Sequence, residues 1–487
     1  MRKYNFKTCC GVVLTPLVLC CALMRPAFAG MDIVWGDVRG LDPRLREAIF
    51  VLNEGNYFDG ILRLVASRNF IDTGADKELV SLLLAALYLG YDMPNEAKEV
   101  LSEELDKNSK LDVQNALWLK LAQARYQRGQ YTDVNTALAQ IRGKMPRESD
   151  LERRLLFALA LIQQKQPKQA AEVLNVIDLK GNVASTAFVR YNLAIALLKL
   201  NRVGEAMEQL KLLSEMSSSQ KDLLALRDQA LITAGYSLLK NKDPSQAKNY
   251  LEQVQPNSTL YGKAMAGLGS AYSNLDKYKL SIAAWSELSK RDISDPAALE
   301  ATLAIPYAYS KLQAFRQAAE HYESSINDLV AADKKLDALM TSIRSGKTLA
   351  VILAQGPMAN PAAIQEYRKV TDPADLQFLA PLLMSHEFQE AHRNYEDMQT
   401  LSKKIQQWIN SLEKAKNVSP SFRESYMGRL VKHQTEISNT SRDLEKYIKR
   451  LTLTHLSTQK ERINRYVSQA RFSMAQIYDQ AARTSGQ

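Results

Sequence analysis

The chain has 487 residues, 46% hydrophobic and 24% charged, with 20 glycines and 15 prolines, enough for a sizeable core and too few Gly and Pro for a disordered or collagen-like chain. Its formal net charge is +10, from 63 Lys and Arg against 53 Asp and Glu. All four cysteines (Cys9, Cys10, Cys20 and Cys21) lie near the N-terminus, so the remainder offers no disulfide, thiolate metal site or cysteine nucleophile.

Residues 1–29 read as a secretory signal peptide. Arg2, Lys3 and Lys7 precede an apolar run from Cys9 to Met24, and Ala27-Phe28-Ala29 puts small residues at a cleavage site before Gly30. The run is shorter than the roughly 20 residues that span a bilayer. The expectation is export to a periplasm with the leader removed. The alternative is an N-terminal anchor in the inner membrane, facing the periplasm. A lipoprotein at Cys20 or Cys21 fits less well, because Leu19 and Cys20 stand where a small residue is needed. Without the four basic residues of the leader the balance is 59 against 53, and from Ser385 onward it is 17 against 11. The positive excess therefore belongs to the C-terminal segment, and export argues against nucleic acid as its target.

Residues 30–41 form an irregular lead-in, and Asp42-Pro43 opens the first helix with Pro at a position it tolerates. From Arg46 to Ile326 one phrase recurs: helical apolar spacing, a small residue, Tyr or Leu, a turn, then a small residue opening a second helix. The clearest copy is AMAGLGSAYSNLDKYKLSIAAW (Ala264 to Trp285), echoed by PYAYSKLQAFRQAAEHY (Pro306 to Tyr322). The small residue of the second helix is placed at Ala97, Ala137, Ala170, Ala206, Ala247, Ala283 and Ala318, at intervals of 33 to 41 residues, behind a capping hairpin at Ala48 to Ala66. In the clearest copy Ala264, Gly267, Gly269 and Ala271 serve close helix contact, while Tyr272, Leu275, Tyr278 and Trp285 fill the gaps.

These segments resemble the tetratricopeptide repeat family, whose period is about 34 residues. The family's first-helix tryptophan is matched near Trp118 alone. The resemblance implies a right-handed superhelix whose concave face holds a peptide or another protein. The array spans 42–329, with about eight hairpins.

Residues 330–375 are a transitional helical segment with a linker, GPMANPAA (Gly356 to Ala363), and a second break at Thr371-Asp372-Pro373. Residues 376–487 contain two long helical stretches, Leu376 to about Ala415 and Phe422 to about Ala482. Three-four spacing at Phe388, Ala391, Tyr395, Met398, Ser402, Ile405, Ile409 and Leu412, and at Phe422, Tyr426, Leu430, His433, Ile437, Thr440, Leu444, Tyr447, Leu451 and Thr454, predicts an antiparallel coiled-coil hairpin of about 55 Å. The final segment, Ile463 to Gln480, is expected to dock beside Asp333 to Leu353 or the last hairpins. The fold class is all-α: a tetratricopeptide-like α-solenoid followed by that hairpin.

No chemistry-bearing motif stands out. Ser345-Gly346-Lys347-Thr348 resembles the end of a phosphate loop, but Thr341 occupies the required first Gly and no strand precedes it. A two-His site between His386 and the region of Lys449 to His455 is conceivable, against a simpler role in setting register; His433 reads as a partly buried seam residue. The expectation is no catalysis, no cofactor and no metal. Candidate partner-binding residues are Tyr307 or Tyr309, which are two apart and cannot face one groove, and the basic Lys446, Lys449 and Arg450. The expected function is a periplasmic protein-protein scaffold of a cell-envelope assembly, whose partners are envelope proteins and an anionic surface or polymer. The alternative is a peptidoglycan-associated or hydrolytic enzyme.

Overall fold

The computed structural model describes residues 40–67, 74–102, 110–178, 183–216, 220–289, 291, 293–355, 372–414 and 419–485. The leader, the lead-in up to residue 39, GPMANPAA and Thr371 lie outside the described residues. Twenty helices account for the regular structure among the described residues: α1 Pro43–Asn53, α2 Tyr57–Ser67, α3 Gly74–Gly90, α4 Pro94–Ser102, α5 Leu111–Gln127, α6 Tyr131–Leu138, α7 Arg147–Gln163, α8 Pro167–Asn175, α9 Val183–Lys199, α10 Val203–Ser214, α11 Lys221–Lys240, α12 Pro244–Leu251, α13 Tyr261–Asn274, α14 Tyr278–Ser286, α15 Pro296–Lys311, α16 Phe315–Arg344, α17 Lys347–Ala354, α18 Pro373–Leu383, α19 His386–Lys414 and α20 Pro420–Ser485. Two compact units divide between Gly267 and Leu268.

One turn closes eight hairpins, from α1–α2 to α15–α16. Gly55, Asp92, Gly129, Lys165, Asn201, Lys242, Asp276 and Gln313 all take φ between +57° and +77°. The residue after each donates its N–H to the carbonyl five positions back, as Asp243 does to Leu238 (2.9 Å) and Ala314 to Tyr309 (3.0 Å). This is the Schellman closure, and it satisfies carbonyls that the helix end leaves open. The second helix always begins two residues after the left-handed one. The turn residues follow at intervals of 37, 37, 36, 36, 41, 34 and 37, which gives the repeat an unambiguous register.

In that register the residue five after the turn is where the second helix first meets its neighbours. It is Gly60, Ala97, Val134, Ala170, Ala206, Ala247, Ser281 and Ala318, all buried. The expected Ala137 and Ala283 are therefore off the repeat position; Ala283 is exposed, and Val134 and Ser281 hold the position instead. The residue seven before the turn is also small: Ala48, Ala85, Ala122, Ala158, Ala194, Gly235, Gly269, or Pro306 at the last copy. Nine after the turn stands a large apolar residue: Leu64, Leu101, Leu138, Leu174, Leu210, Leu251, Trp285 and Tyr322, none more than 5% exposed. Small against large lets two helices approach while the gap between hairpins stays filled. In the first unit, hairpins α1 to α12 stack this way around one continuous core from Leu45 to Ala234.

The second unit is organised by α20, a single helix of 66 residues, about 99 Å at 1.5 Å per residue. Its first half pairs antiparallel with α19: Gln399 donates to Ser441 (2.6 Å) and Gln434 to Ser402 (2.7 Å). From Ile448 onward it also runs antiparallel to α16, with Leu329, Leu336, Ile343, Ile448, Leu456, Ile463 and Val467 in one core, and Ala318, Tyr322, Ala470 and Ile477 in the next.

Three expectations change here. The boundary placed after Leu329 falls inside α16, a helix of 30 residues whose second half buries Leu336, Leu339 and Ile343. The stretch from Leu376 breaks at Met384-Ser385; the Ser385 hydroxyl accepts from the Phe388 amide (3.3 Å) and starts α19. At 29 residues α19 is about 43 Å long, shorter than the expected hairpin. On α20 the fully buried stripe is Ile448, Thr452 and Leu456, while Leu444, Tyr447 and Leu451 are half-buried and Tyr426, Thr440 and Thr454, expected on the seam, are exposed. A helix between two partners needs two stripes, and a single heptad pattern supplies one.

Candidate functional site

Tyr307 and Tyr309 sit on the last turns of α15 and diverge, as their spacing requires. Tyr309 stacks on the His321 ring (4.9 Å between centroids, 13° between planes) and packs against Leu303, Ala318 and Tyr322. Tyr307 is half-exposed, with the Lys311 ammonium 5.4 Å above its ring. It neighbours Tyr278, whose hydroxyl donates to Asp276 (2.6 Å). Burial, that bond and the nearby Asp276 charge push the Tyr278 pKa up to about 12. Both rings are half-buried, Tyr309 packed against the core and Tyr307 beside Lys311 and Tyr278.

His321 also lines a groove of about 400 Å³, bounded by Ser286 and Ser289 at the end of α14, Thr302 on α15, Asp328 on α16 and Phe378 on α18. The groove is walled mainly by hydroxyls and small side chains. Arg291 at its rim is engaged by Asp295 (3.1 Å). Nothing in the sequence marks this groove, because its walls come from four helices.

The three basic residues of α20 are absorbed by the fold to different degrees. Lys446 pairs with Asp443 (3.0 Å) on the same helix, both well exposed. Lys449 is half-buried and donates to the carbonyl of Arg344, at the C-terminus of α16, where a cation complements the helix dipole. Arg450 lies over the Tyr447 ring (5.4 Å), and the Tyr447 hydroxyl donates to Glu387 (2.6 Å). Lys449 is therefore a cap on α16 rather than a free cation. Further exposed cations of the hairpin stand nearer its tip, on Lys403, Lys404, Lys414, Arg429 and Lys432.

His321, His392, His433 and His455 have structural partners, and the His386 side chain of the conceivable two-His site lies outside the described residues. His392 is fully buried, with Nε2 at 3.2 Å from the Ile352 carbonyl and its ring stacked on Phe388. His455 Nε2 is 3.3 Å from the Phe378 carbonyl, which also accepts from Gln459 (3.0 Å); burial holds the His455 pKa down. His433, expected on the apolar seam, is instead exposed and bonded to Glu436 (3.1 Å). Gly346 takes φ +86° as the turn between α16 and α17, and Ser342 and Thr348 bond each other across it (2.6 Å). The phosphate-loop likeness is thus a helix-to-helix corner.

Two ionic groups, Arg125 buried and Glu300 half-buried, carry no mark in the sequence. Arg125 on α5 is 5% exposed; it donates to Gln130 (2.7 Å), Asn95 (2.9 Å) and the Pro94 carbonyl (3.2 Å), tying three helices together. Glu300 on α15 has its pKa raised to about 7 by burial, against the pull of Arg462 on α20. An ordinary helical register conceals both, since burial at these positions depends on the neighbouring hairpin.

No family model matches the chain, and no curated protein matches it. Among solved structures, the chain is similar to the P58(IPK) TPR domain at 16% identity, covering 58% of this chain and 91% of that one with a TM-score of 0.20. It is also similar to the APC/C hetero-tetramer Cut9–Hcn1 at 13% identity, covering 94% and 99% with a TM-score of 0.28. The tetratricopeptide-like character of the array stands on its own recurring turn and on the small-to-large contact within each hairpin.

Proposed function

We propose that the protein is a non-catalytic scaffold of a bacterial cell-envelope assembly, exported to the periplasm. The repeat array holds one protein partner on its concave face, and the α19–α20 hairpin reaches a second component. The observation that carries this reading is the eightfold recurrence of one turn and one packing contact, which gives a frame built from interchangeable units. Such a frame presents a long surface of side chains, and Tyr307 lies half-exposed on it. The N-terminal leader, with every cysteine confined to it, supports export.

Cross-linking in whole envelopes followed by affinity capture of the full chain tests the scaffold. A specific protein is expected on the wild-type chain and depleted on Tyr307→Ala; recovery of no protein, or equal recovery with both, overturns it. Sequencing the mature N-terminus tests the location: a start at Gly30 is expected, and a Met1 start in the membrane fraction would replace export by anchoring.

A further inference from the structure

The tip of the α19–α20 hairpin gathers aromatic and basic side chains at the surface. Its core is small: Ile405, Ile409 and Leu430, flanked by Leu412, Met427 and Ile437. Outside it, Trp408 is 54% and Tyr426 41% exposed, large apolar rings left at the surface. Among the described residues from Lys403 to Lys432 there are six cations (Lys403, Lys404, Lys414, Arg423, Arg429 and Lys432) against Glu413 and Glu424.

The arrangement is ordered. Lys404 and Trp408 each immediately precede a seam residue of α19, Ile405 and Ile409; Tyr426 and Arg429 immediately precede Met427 and Leu430 on α20. One residue is a rotation of about 100°. On antiparallel helices the same rotation away from the seam leads to the same face. Glu387 and Tyr447, each also one residue before a buried Phe388 or Ile448, are hydrogen-bonded across that face. The register set by the Gln399–Ser441 and Gln434–Ser402 bonds puts Tyr426 about one turn nearer the tip than Trp408. The two rings therefore share a face, with Lys404 and Arg429 beside them and the Arg429 guanidinium over the Tyr426 ring (4.9 Å).

We infer that this tip binds the headgroup layer of an anionic phospholipid membrane, with the Trp408 and Tyr426 rings at the water interface. Indole and phenol rings prefer that interface, and clustered Lys and Arg are drawn to anionic headgroups. The exposed Lys403, Lys414 and Lys432 lie on other sides of the hairpin from the aromatic pair. A tip among headgroups is surrounded on all sides, whereas an acidic protein would meet one face. A second copy is disfavoured because two cationic tips repel. The inference gives chemistry to the second end of the scaffold proposed above, and its failure would leave partner capture by the array untouched.

Trp408 is also the reporter. Trp118 and Trp285 are buried, and Trp35 lies outside the described residues, so the full chain is prepared as Trp35→Phe. With phosphatidylglycerol vesicles at low salt, the chain should co-sediment and its emission should shift to the blue. Phosphatidylcholine vesicles should give neither, and high salt should reverse the binding. Lys404→Glu with Arg429→Glu should weaken binding about thirtyfold, from roughly 1 kcal/mol per cation removed. Lys404→Gln with Arg429→Gln provides the same test if the reversal lowers helicity. The inference is overturned by absence of binding to phosphatidylglycerol, by equal binding to phosphatidylcholine, or by indifference to both double variants. Binding to polyglutamate in place of vesicles would assign the tip to an acidic protein, and concentration-dependent dimers abolished by Trp408→Ala without vesicle binding would assign it to a second copy.

Discussion

Gly269 has no side chain because Trp285 fills the space one would occupy: a Cβ there would overlap the indole ring. The pair stands seven before and nine after the turn at Asp276. Gly235 and Leu251 hold the same two places around Lys242, and a Cβ on Gly235 would come within 2.5 Å of Leu251 Cγ. The other six hairpins use Ala or Pro at the small position.

Gly269→Ala should destabilise the second unit by about 1–3 kcal/mol, the usual effect of overpacking, and Trp285→Ala by about 3–5 kcal/mol through the cavity it leaves. Gly269→Ala combined with Trp285→Leu recreates the Ala–Leu pair of the earlier hairpins and should recover part of the loss. Urea unfolding of the three variants measures this. Strictly additive losses would show that the two positions do not share one contact.

Left-handed backbone disfavours residues with a side chain, yet six of the eight turns use one. Lys165→Gly, Lys242→Gly and Gln313→Gly should each raise stability by up to about 1 kcal/mol, whereas Gly129→Ala should lower it by a similar amount. Thermal melting of the four variants checks the sign, which is opposite to the effect of Gly in a helix interior.

Lys449→Ala should destabilise the α16–α20 contact by about 1 kcal/mol, because the Arg344 carbonyl loses its donor and the helix end its cation. Lys446→Ala, which breaks only an exposed pair, should change stability by less than about 0.5 kcal/mol. Amide exchange at the end of α16 separates the two. Equal protection in both variants would return Lys449 to the surface.

Glu300 should make stability fall as pH rises. Its folded pKa of about 7 stands above the ordinary glutamate value of 4.5, so the native state holds the proton more tightly. That contribution is present at acid pH and is lost as pH rises through 7. Glu300→Gln removes it and should gain on wild type by about 2–3 kcal/mol between pH 5 and pH 8. His455 acts in the opposite sense: its lowered pKa favours the neutral ring in the fold, so its contribution is lost on acidification. Urea midpoints of wild type and Glu300→Gln across that range isolate Glu300, since His455 is common to both. A constant difference would place the carboxylate in water.

Arg125→Met should cost about 2–4 kcal/mol, because Gln130, Asn95 and the Pro94 carbonyl lose a shared buried donor. Arg125→Lys should recover little, since one ammonium cannot reproduce the guanidinium fork. Chemical denaturation of both variants decides this.

The hairpin array is legible in the amino-acid order because its signals are local. A helix, a Schellman turn and a second helix write themselves within about thirty residues, and Gly55, Gly129 and Pro94 punctuate them openly. The exact register is less so. Val134 is a large residue at a small position, and Ser281 lies two residues before an alanine that fits the pattern better, so both slots are hidden. The tip of the hairpin is also unmarked: Tyr426 reads as a seam position in the three-four spacing, and only pairing of α19 with α20 shows that it lies at the surface on the same face as Trp408.

What the amino-acid order determined by itself was the class of structure: helix, turn spacing, repeat length, and two long C-terminal helices that must pair through apolar stripes. Tertiary structure alone decided which stripe meets which neighbour. Because α20 lies between α16 and α19, its fully buried positions are Ile448, Thr452 and Leu456, and the cation at Lys449 is drawn inward to cap Arg344 while those near Lys404 and Arg429 stay at the surface. A local pattern specifies how often a side chain returns to a face; whether that face meets water, a carbonyl or another helix is set by residues a hundred positions away.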